Sequence, residues 1–308
     1  MAQSSKSIVV PKSQFLQEQE RELLERLDAE LRGSGKMLPL CDARYLETHE
    51  IFEGRSNQQG LIIDWFSRFF QEHFRQPEPP EGTFRVLSVG CGSGILDLQL
   101  ATRLSDQTQD FHYVGVDPNS VECDHFQGQF AGFASGQLGA QPQVEVVNKS
   151  FEDFEASCGF DLIHFVHSLY YMPDSAAALE KARRLLAPGG RIVFFQAPCE
   201  EMNALTVRFW DKEYARPTLF AEDLSDILEV QDWKYDRERI NAFLEVSPLA
   251  YPDSSLGIAL TDFIVQVDSL DLSEPVRNLI TGYLKLISIR DEDEVYISHP
   301  VDAFVMGE

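Results

Sequence analysis

The run Val86-Leu87-Ser88-Val89 is short, apolar and β-branched, and it breaks into Gly90-Cys91-Gly92-Ser93-Gly94. A second run, Val114-Gly115-Val116, ends on Asp117. This pattern constrains the fold more than any other part of the chain. A near-continuous apolar strand suits a parallel sheet covered on both faces. The glycines let the backbone turn tightly and let a ligand lie against it with no Cβ in the way. An acid at the end of the second strand can accept hydrogen bonds from a ribose diol. The expectation is an α/β fold that takes a nucleoside-containing ligand at the carboxyl ends of parallel strands.

The spacing narrows the ligand. A dinucleotide fingerprint reads G-x-G-x-x-G, and its third glycine would fall at Ile95. A P-loop would end in Gly-Lys-Ser/Thr, which does not follow here. The observed G-x-G-x-G resembles the first motif of class I S-adenosylmethionine (SAM)-dependent methyltransferases. Further segments resemble that family in the correct order: Asn148–Phe154, Phe160–His167, Ser168–Asp174 and Ala182–Phe195, the last with its Pro188-Gly189-Gly190 turn. The resemblance implies a Rossmann-like seven-stranded sheet with helices on both faces, an N-terminal helical extension and a helical cap insertion. It also implies SAM as cofactor. Gly90, Cys91, Gly92 and Gly94 would lie under the methionine and ribose, with Cys91 a small spacer. Asp117, with Pro118 beside it, would hold the ribose hydroxyls, and Glu122 would add a polar contact. Ser150, Phe151 and Glu152 would surround the adenine, and Val166 and His167 would lie beside the sulfonium. Ser88 is a departure, because many members carry an acid there.

Composition sets limits. The 308 residues suffice for one large domain with additions or for two small ones, and the apolar content of 44% is ordinary. No apolar run approaches the ~18 residues that span a bilayer, and the start lacks a signal-peptide core. Five scattered cysteines without C-x-x-C spacing suit a reducing compartment and argue against zinc. No clustered carboxylates suggest another metal. The expectation is a cytoplasmic protein, monomeric or weakly homo-oligomeric, with no membrane partner. A net charge of −24 disfavours nucleic acid, which needs a basic footprint. It would steer a cationic small substrate, although solubility alone also accounts for it.

Along the chain, residues 11–32 carry helical spacing stopped by Gly33-Ser34-Gly35, and residues 42–75 form a second helical region. The Pro77–Gly82 link leads into the first strand. After the fifth strand come a helix at Ala221–Leu228, a strand within 232–247, a helical stretch over 256–286, and final strands from Glu294 to Met306 interrupted at Pro300. The expected division is 1–80 as a helical extension packed over the cofactor cleft, 81–250 as the core, and 251–308 as the cap insertion with the last strand.

On the substrate side the chain resembles histamine N-methyltransferase and its small-molecule relatives. The resemblance rests on Leu87-Ser88-Val89-Gly90, Ile95–Gln99, Phe160–His164 leading to Tyr170-Tyr171, the Gln58-Gln59 helix start and Leu260–Phe263. It implies a small-molecule methyl acceptor. The acceptor-binding positions differ from that family. Asn57 stands where a glutamate binds substrate, and His167 replaces a glutamine. Met202 and Thr206, with Trp210 nearby, fall where tryptophans stand, and His299 or Pro300 replaces an asparagine. Tyr170 and Tyr171 are retained as a tyrosine pair.

Methyl transfer from a sulfonium is an in-line displacement that needs alignment above all. A nitrogen acceptor must bring a free lone pair, whereas a hydroxyl or carboxyl must be deprotonated or stabilised as an anion. His167, whose side-chain type titrates near ~6.5, could take a proton or hydrogen-bond the acceptor, or could be structural. Tyr171 and Tyr170 could line the pocket or pack in the core. Asn57 could bind substrate or cap a helix. His164, two residues before Val166 on the same strand face, reads as structural. Transfer to an amine or imidazole nitrogen is the leading reading. An O- or S-methyltransferase and a non-catalytic SAM-binding module are the alternatives.

Overall fold

A computed structural model describes residues 14–33, 40–74, 83–106, 110–131, 133, 143–213, 218–251 and 254–307. The Pro77–Gly82 link, the tail from Met1 to Ser7 and the helix stop at Ser34-Gly35 lie outside the described residues. The elements in chain order are α1 (Gln14–Gly33), α2 (Asp42–Glu53), α3 (Gln58–His73), β1 (Phe84–Val89), α4 (Ile95–Ser105), β2 (Phe111–Asp117), α5 (Ser120–Phe130), β3 (Gln143–Asn148), β4 (Phe160–Val166), α6 (Ser175–Arg184), β5 (Leu186–Gln196), α7 (Met202–Glu213), α8 (Ala221–Val230), β6 (Tyr235–Ile240), β7 (Phe243–Glu245), α9 (Ser255–Val265), α10 (Glu274–Ile287), β8 (Ser288–Asp291), β9 (Glu294–Ser298) and β10 (Val301–Gly307).

The chain forms two compact units from interleaved segments, and not the three consecutive segments read from the sequence. The first, the sheet unit, takes Gln59–Ala197, Leu219–Ile240 and Val301–Glu308. The second, the helical unit, takes Met1–Gln58, Pro198–Thr218 and Asn241–Pro300.

The sheet unit holds seven strands in the order β3-β2-β1-β4-β5-β10-β6. Strands β1 to β5 pair in parallel, and β10 runs antiparallel between β5 and β6. Strand alternation divides the core in two. On one face Val86, Tyr113, Leu162 and Phe195 meet Phe66, Phe69 and Phe70 of α3 and Leu100 and Leu104 of α4. On the other, Leu87, Val89, Ile163, Phe165 and Phe194 meet Leu179 and Ala182 of α6 and Leu224 and Leu228 of α8. Each fully buried large apolar side chain contributes about 1.5–3 kcal/mol, so the two faces together hold the strands in register. The order reverses between β1 and β4. In open α/β sheets that reversal opens a crevice at the carboxyl ends of the strands, where ligands bind.

The helical unit packs α1 and α7 against α10, and α2 and α7 against α9, over Leu27, Leu31, Phe52, Leu205, Phe209, Leu260, Ile280 and Leu284. A three-stranded sheet of order β7-β9-β8 belongs to it. Several expectations change here. The helical region 42–75 is two helices, because residues 54–57 break to join the edge of β7. The Asn57 N–H donates to Phe243 O at 3.2 Å, the Glu245 N–H donates to Arg55 O at 3.0 Å, and Ser56 bridges Leu244. The stretch 256–286 is also two helices. Gln266 adopts a left-handed conformation (φ 61°) at the end of α9, and Pro275 starts α10, where its missing N–H costs nothing. The strand expected within 232–247 becomes β6 and β7 in different sheets, and of the final strands only β10 enters the large sheet. Pro300 stands at that switch. Pro188-Gly189-Gly190 is the irregular start of β5 opposite a register shift at Phe160/Leu162, and not a separate turn.

Candidate active site

The glycine turn follows β1 at the order reversal. Gly90 has φ 68°, and a Cβ there would lie 2.5 Å from the Cβ of Ser168, just past β4. Only glycine allows this approach, which Ser168 Oγ closes by donating to Val89 O at 2.5 Å. Gly92 has φ 54° and faces open space, and its N–H donates to Asp117 Oδ2 at 3.0 Å. The other oxygen of Asp117 accepts the Asn119 N–H at 2.8 Å. An ionised carboxylate offers about four lone-pair sites, so two remain for further donors. Pro118 is exposed beside it, and Glu122 in the first turn of α5 is half-buried, with Oε2 3.6 Å from His125 Nδ1. Cys91 is buried against Gly115, and burial raises its thiol pKa strongly. It is therefore a protonated spacer and not a nucleophile.

Behind the turn lies a buried polar cluster. Ser88 hydrogen-bonds Asp97 of α4, whose Oδ1 accepts the Tyr113 hydroxyl at 2.9 Å. His164 Nε2 lies 2.8 Å from that hydroxyl. With Tyr113 donating to Asp97, His164 donates from Nε2 and keeps Nδ1 as an acceptor, a buried atom with no hydrogen-bond partner. Burial pushes the Asp97 carboxyl up to about 6, against the hydrogen bonds from Ser88 and Tyr113. Burial pushes His164 down to about 3. The acid absent at position 88 is thus present in this neighbourhood at Asp97. A polar residue in the first turn of the helix that follows a glycine loop is the signal that would have found it.

Ser150, Phe151 and Glu152 form a tight turn after β3. Ser150 Oγ donates to Asp153 Oδ2 at 3.1 Å, and Glu152 is exposed. The Phe151 ring is buried edge-on to Phe165, so only the backbone of this residue, and not its ring, is available to a ligand. At the end of β4, Val166 is half-buried. His167 has φ 50° with its N–H on Phe195 O at 3.2 Å. A left-handed non-glycine residue is strained, and such strain concentrates at functional sites. The Tyr170 and Tyr171 rings lie 4.5 Å apart, with Tyr171 48% exposed.

Asn57 and His299 belong to the helical unit, and both have structural bonds. Asn57 Oδ1 accepts the Phe243 N–H at 2.8 Å. The adjacent Gln58, read from the sequence only as part of a helix start, is a buried amide, donating from Nε2 to His299 O at 2.8 Å. His299 is buried, with Nδ1 3.3 Å from Ser56 Oγ and its ring edge-on to Phe52. Phe52 in turn packs on Phe263, and Tyr45 and His49 stack beside that ring. Met202 and Trp210 are buried in α7, and Thr206 donates to Ile264 O at 2.7 Å, so these three residues serve the core.

A family model described as a methyltransferase domain matches residues 55–243, more than half of the chain. The chain belongs to this methyltransferase family. The methyltransferase is 20% identical to histamine N-methyltransferase of Bos taurus over 247 residues, covering 76% of this chain and 83% of that protein. It is 29% identical to an O-methyltransferase of Aspergillus nomiae over 154 residues, covering 49% of this chain and 64% of that one. Its fold is similar to that of the plantazolicin methyltransferase BpumL solved in complex with SAH. That match has a TM-score of 0.50 and 12% identity, and it covers 96% of this chain and 99% of the other.

The residues of the methyltransferase fit a nucleoside cofactor on two counts. The position of Gly92 is open where a Cβ would intrude, and the Asp117 carboxylate is anchored yet keeps acceptor capacity.

Proposed function

We propose that this methyltransferase takes its methyl group from SAM and delivers it to a small-molecule acceptor, on an amine or imidazole nitrogen. One observation carries the reading. The strained His167 and its neighbour Ser168 follow β4 directly beside the glycine turn that follows β1. A ligand cradled by Gly92 and anchored at Asp117 would therefore have its reacting end near His167.

When bound, SAM supplies a methyl carbon already activated by its sulfonium. The chain then has to hold and align. The Asp117 oxygens would accept from the ribose hydroxyls, and the 150–152 backbone would meet the adenine. Tyr170 and Tyr171 present ring faces and hydroxyls to the acceptor, which suits a cation as well as a neutral amine. An amine arrives protonated and must lose that proton before its lone pair can attack. The His167 imidazole can receive it, or can orient an acceptor that arrives neutral. The net charge of −24 favours the encounter with a cationic acceptor.

Transfer to oxygen is a second reading, favoured by the Aspergillus nomiae O-methyltransferase among the relatives. There a base at position 167 would be essential, because a hydroxyl is a poor nucleophile until deprotonated. The deciding assay uses SAM tritiated on the methyl group with a panel of amines, imidazoles, phenols and carboxylates. The proposal expects label in an amine or imidazole. Label confined to hydroxyl or carboxyl acceptors would replace it with the second reading. Cofactor binding with no transfer to any acceptor would point to a binding module.

A further inference from the structure

We propose that Lys181 is a positioning residue for the adenine end of the cofactor site, acting through the 150–154 turn. This rests on the reading that residues 150–152 meet the adenine. Lys181 lies in the last turn of α6. Its Nζ donates to Glu152 O at 2.8 Å and to Phe154 O, and lies 5.4 Å from the centroid of the Phe151 ring. One ammonium thus bonds two carbonyls of the 150–154 turn and lies over the ring of Phe151, which precedes both of them.

The geometry fixes the plane of a particular peptide. The trans amide is planar, so its C=O and N–H point opposite ways. The Glu152 carbonyl faces Lys181, and the N–H of the same peptide, on Asp153, donates to Ser150 O at 3.2 Å. Phe151 and Phe154, 3% and 5% exposed, anchor the turn to the core from below. Apolar anchors fix position but tolerate rotation about the chain, whereas hydrogen bonds to two carbonyls fix orientation. Losing the ammonium leaves the turn in place and lets its amide planes rock. The Asp153 and Phe154 N–H groups close the turn on Ser150 O and Phe151 O, so the donors the closed turn can offer a ligand are the N–H groups of Phe151 and Glu152. These suit adenine N1, which accepts, and reject hypoxanthine, whose N1 carries a proton. A rocking turn loses that discrimination before it loses affinity for the rest of the ligand.

The test is calorimetry of SAH and of S-inosylhomocysteine on the full chain, with Lys181→Met, Lys181→Arg and Asp117→Ala. For Lys181→Met the expected result is an SAH affinity lower by about 5–20-fold, with the preference for SAH over the inosine analogue collapsing towards one. Lys181→Arg, which retains donors, keeps most of the preference. Equal losses for both ligands, or unchanged SAH affinity in Lys181→Met while Asp117→Ala binds weakly, would overturn the role of Lys181 and leave the cofactor site standing. Unchanged SAH affinity in Asp117→Ala would remove the cofactor site itself, and the inference with it.

Discussion

The carboxyl ends of β1 and β4 lie side by side in the sheet yet are built by opposite means. At β1 the backbone forms the site. Gly90 and Gly92 take left-handed conformations, Asp117 holds a peptide N–H, and the surroundings are packed against Ser168 and Phe126. At β4 the side chains form it: a half-buried His167 on a strained backbone, then Tyr170 and an exposed Tyr171. A site made of backbone tolerates few sequences, and it suits a ligand shared by a whole family. A site made of exposed side chains can change with the acceptor and leave the fold untouched.

The largest effect should come from breaking the backbone end. Gly90→Ala puts a methyl group 2.5 Å from Ser168 Cβ at φ 68°. The expected cost is on the order of 2–4 kcal/mol of stability, with SAH affinity down by more than about 100-fold. Chemical denaturation and calorimetry measure both, and wild-type values in the two would contradict the contrast. Next is His167→Asn, which keeps a side chain tolerant of positive φ and removes the base. Turnover should fall by about 10²-fold or more while SAH affinity stays within about threefold. A parallel loss of SAH binding would make His167 part of the cofactor scaffold and erase the distinction between the two ends.

Much of this was legible in the sequence because the β1 end is a spacing problem. G-x-G-x-G and the acid after β2 sit at fixed offsets, and the strand pattern around them is continuous and apolar. The helical unit was not legible, because its breaks depend on partners distant in sequence. Residues 54–57 leave the helix to pair with Phe243 and Leu244, and Asp262 ties α9 to Ser269 and Arg44. No local propensity announces such pairs. Asn57 and His299 show the same limit from the functional side. Alignment to a family placed them at the acceptor, and the structure commits Asn57 Oδ1 to Phe243 and buries His299 against Ser56 and Phe52.

The polar cluster behind the glycine turn sharpens the comparison through pH. Asp97 has its pKa raised to about 6, so it contributes stability while protonated and loses that contribution as pH rises from its unfolded value of 3.8 towards 6. His164, lowered to about 3 from 6.5, has the opposite sign: its contribution is present above 6.5 and is lost as pH falls towards 3. The two oppose each other over their shared window. Asp97→Asn removes one, so its stability relative to wild type should improve as pH rises from 4 to 6, by at most about 1.4 kcal/mol per pH unit. Urea denaturation across that range checks it, and parallel curves for the two proteins would show that Asp97 ionises freely. The smallest effect belongs to the exposed end of the acceptor side. Tyr171→Ala should raise the acceptor KM by about 3–10-fold with little change in SAH affinity or thermal midpoint.

In the proposed complex the cofactor lies along the glycine turn with its ribose on Asp117. Calorimetric titration of SAH into wild type and Asp117→Ala tests it most directly. One SAH should bind per wild-type chain, and the variant should bind about 10–100-fold more weakly, as expected for losing a hydrogen bond to a charged group and the anchor of the Gly92 amide. No binding to wild type, or equal affinity in the two proteins, would contradict the account.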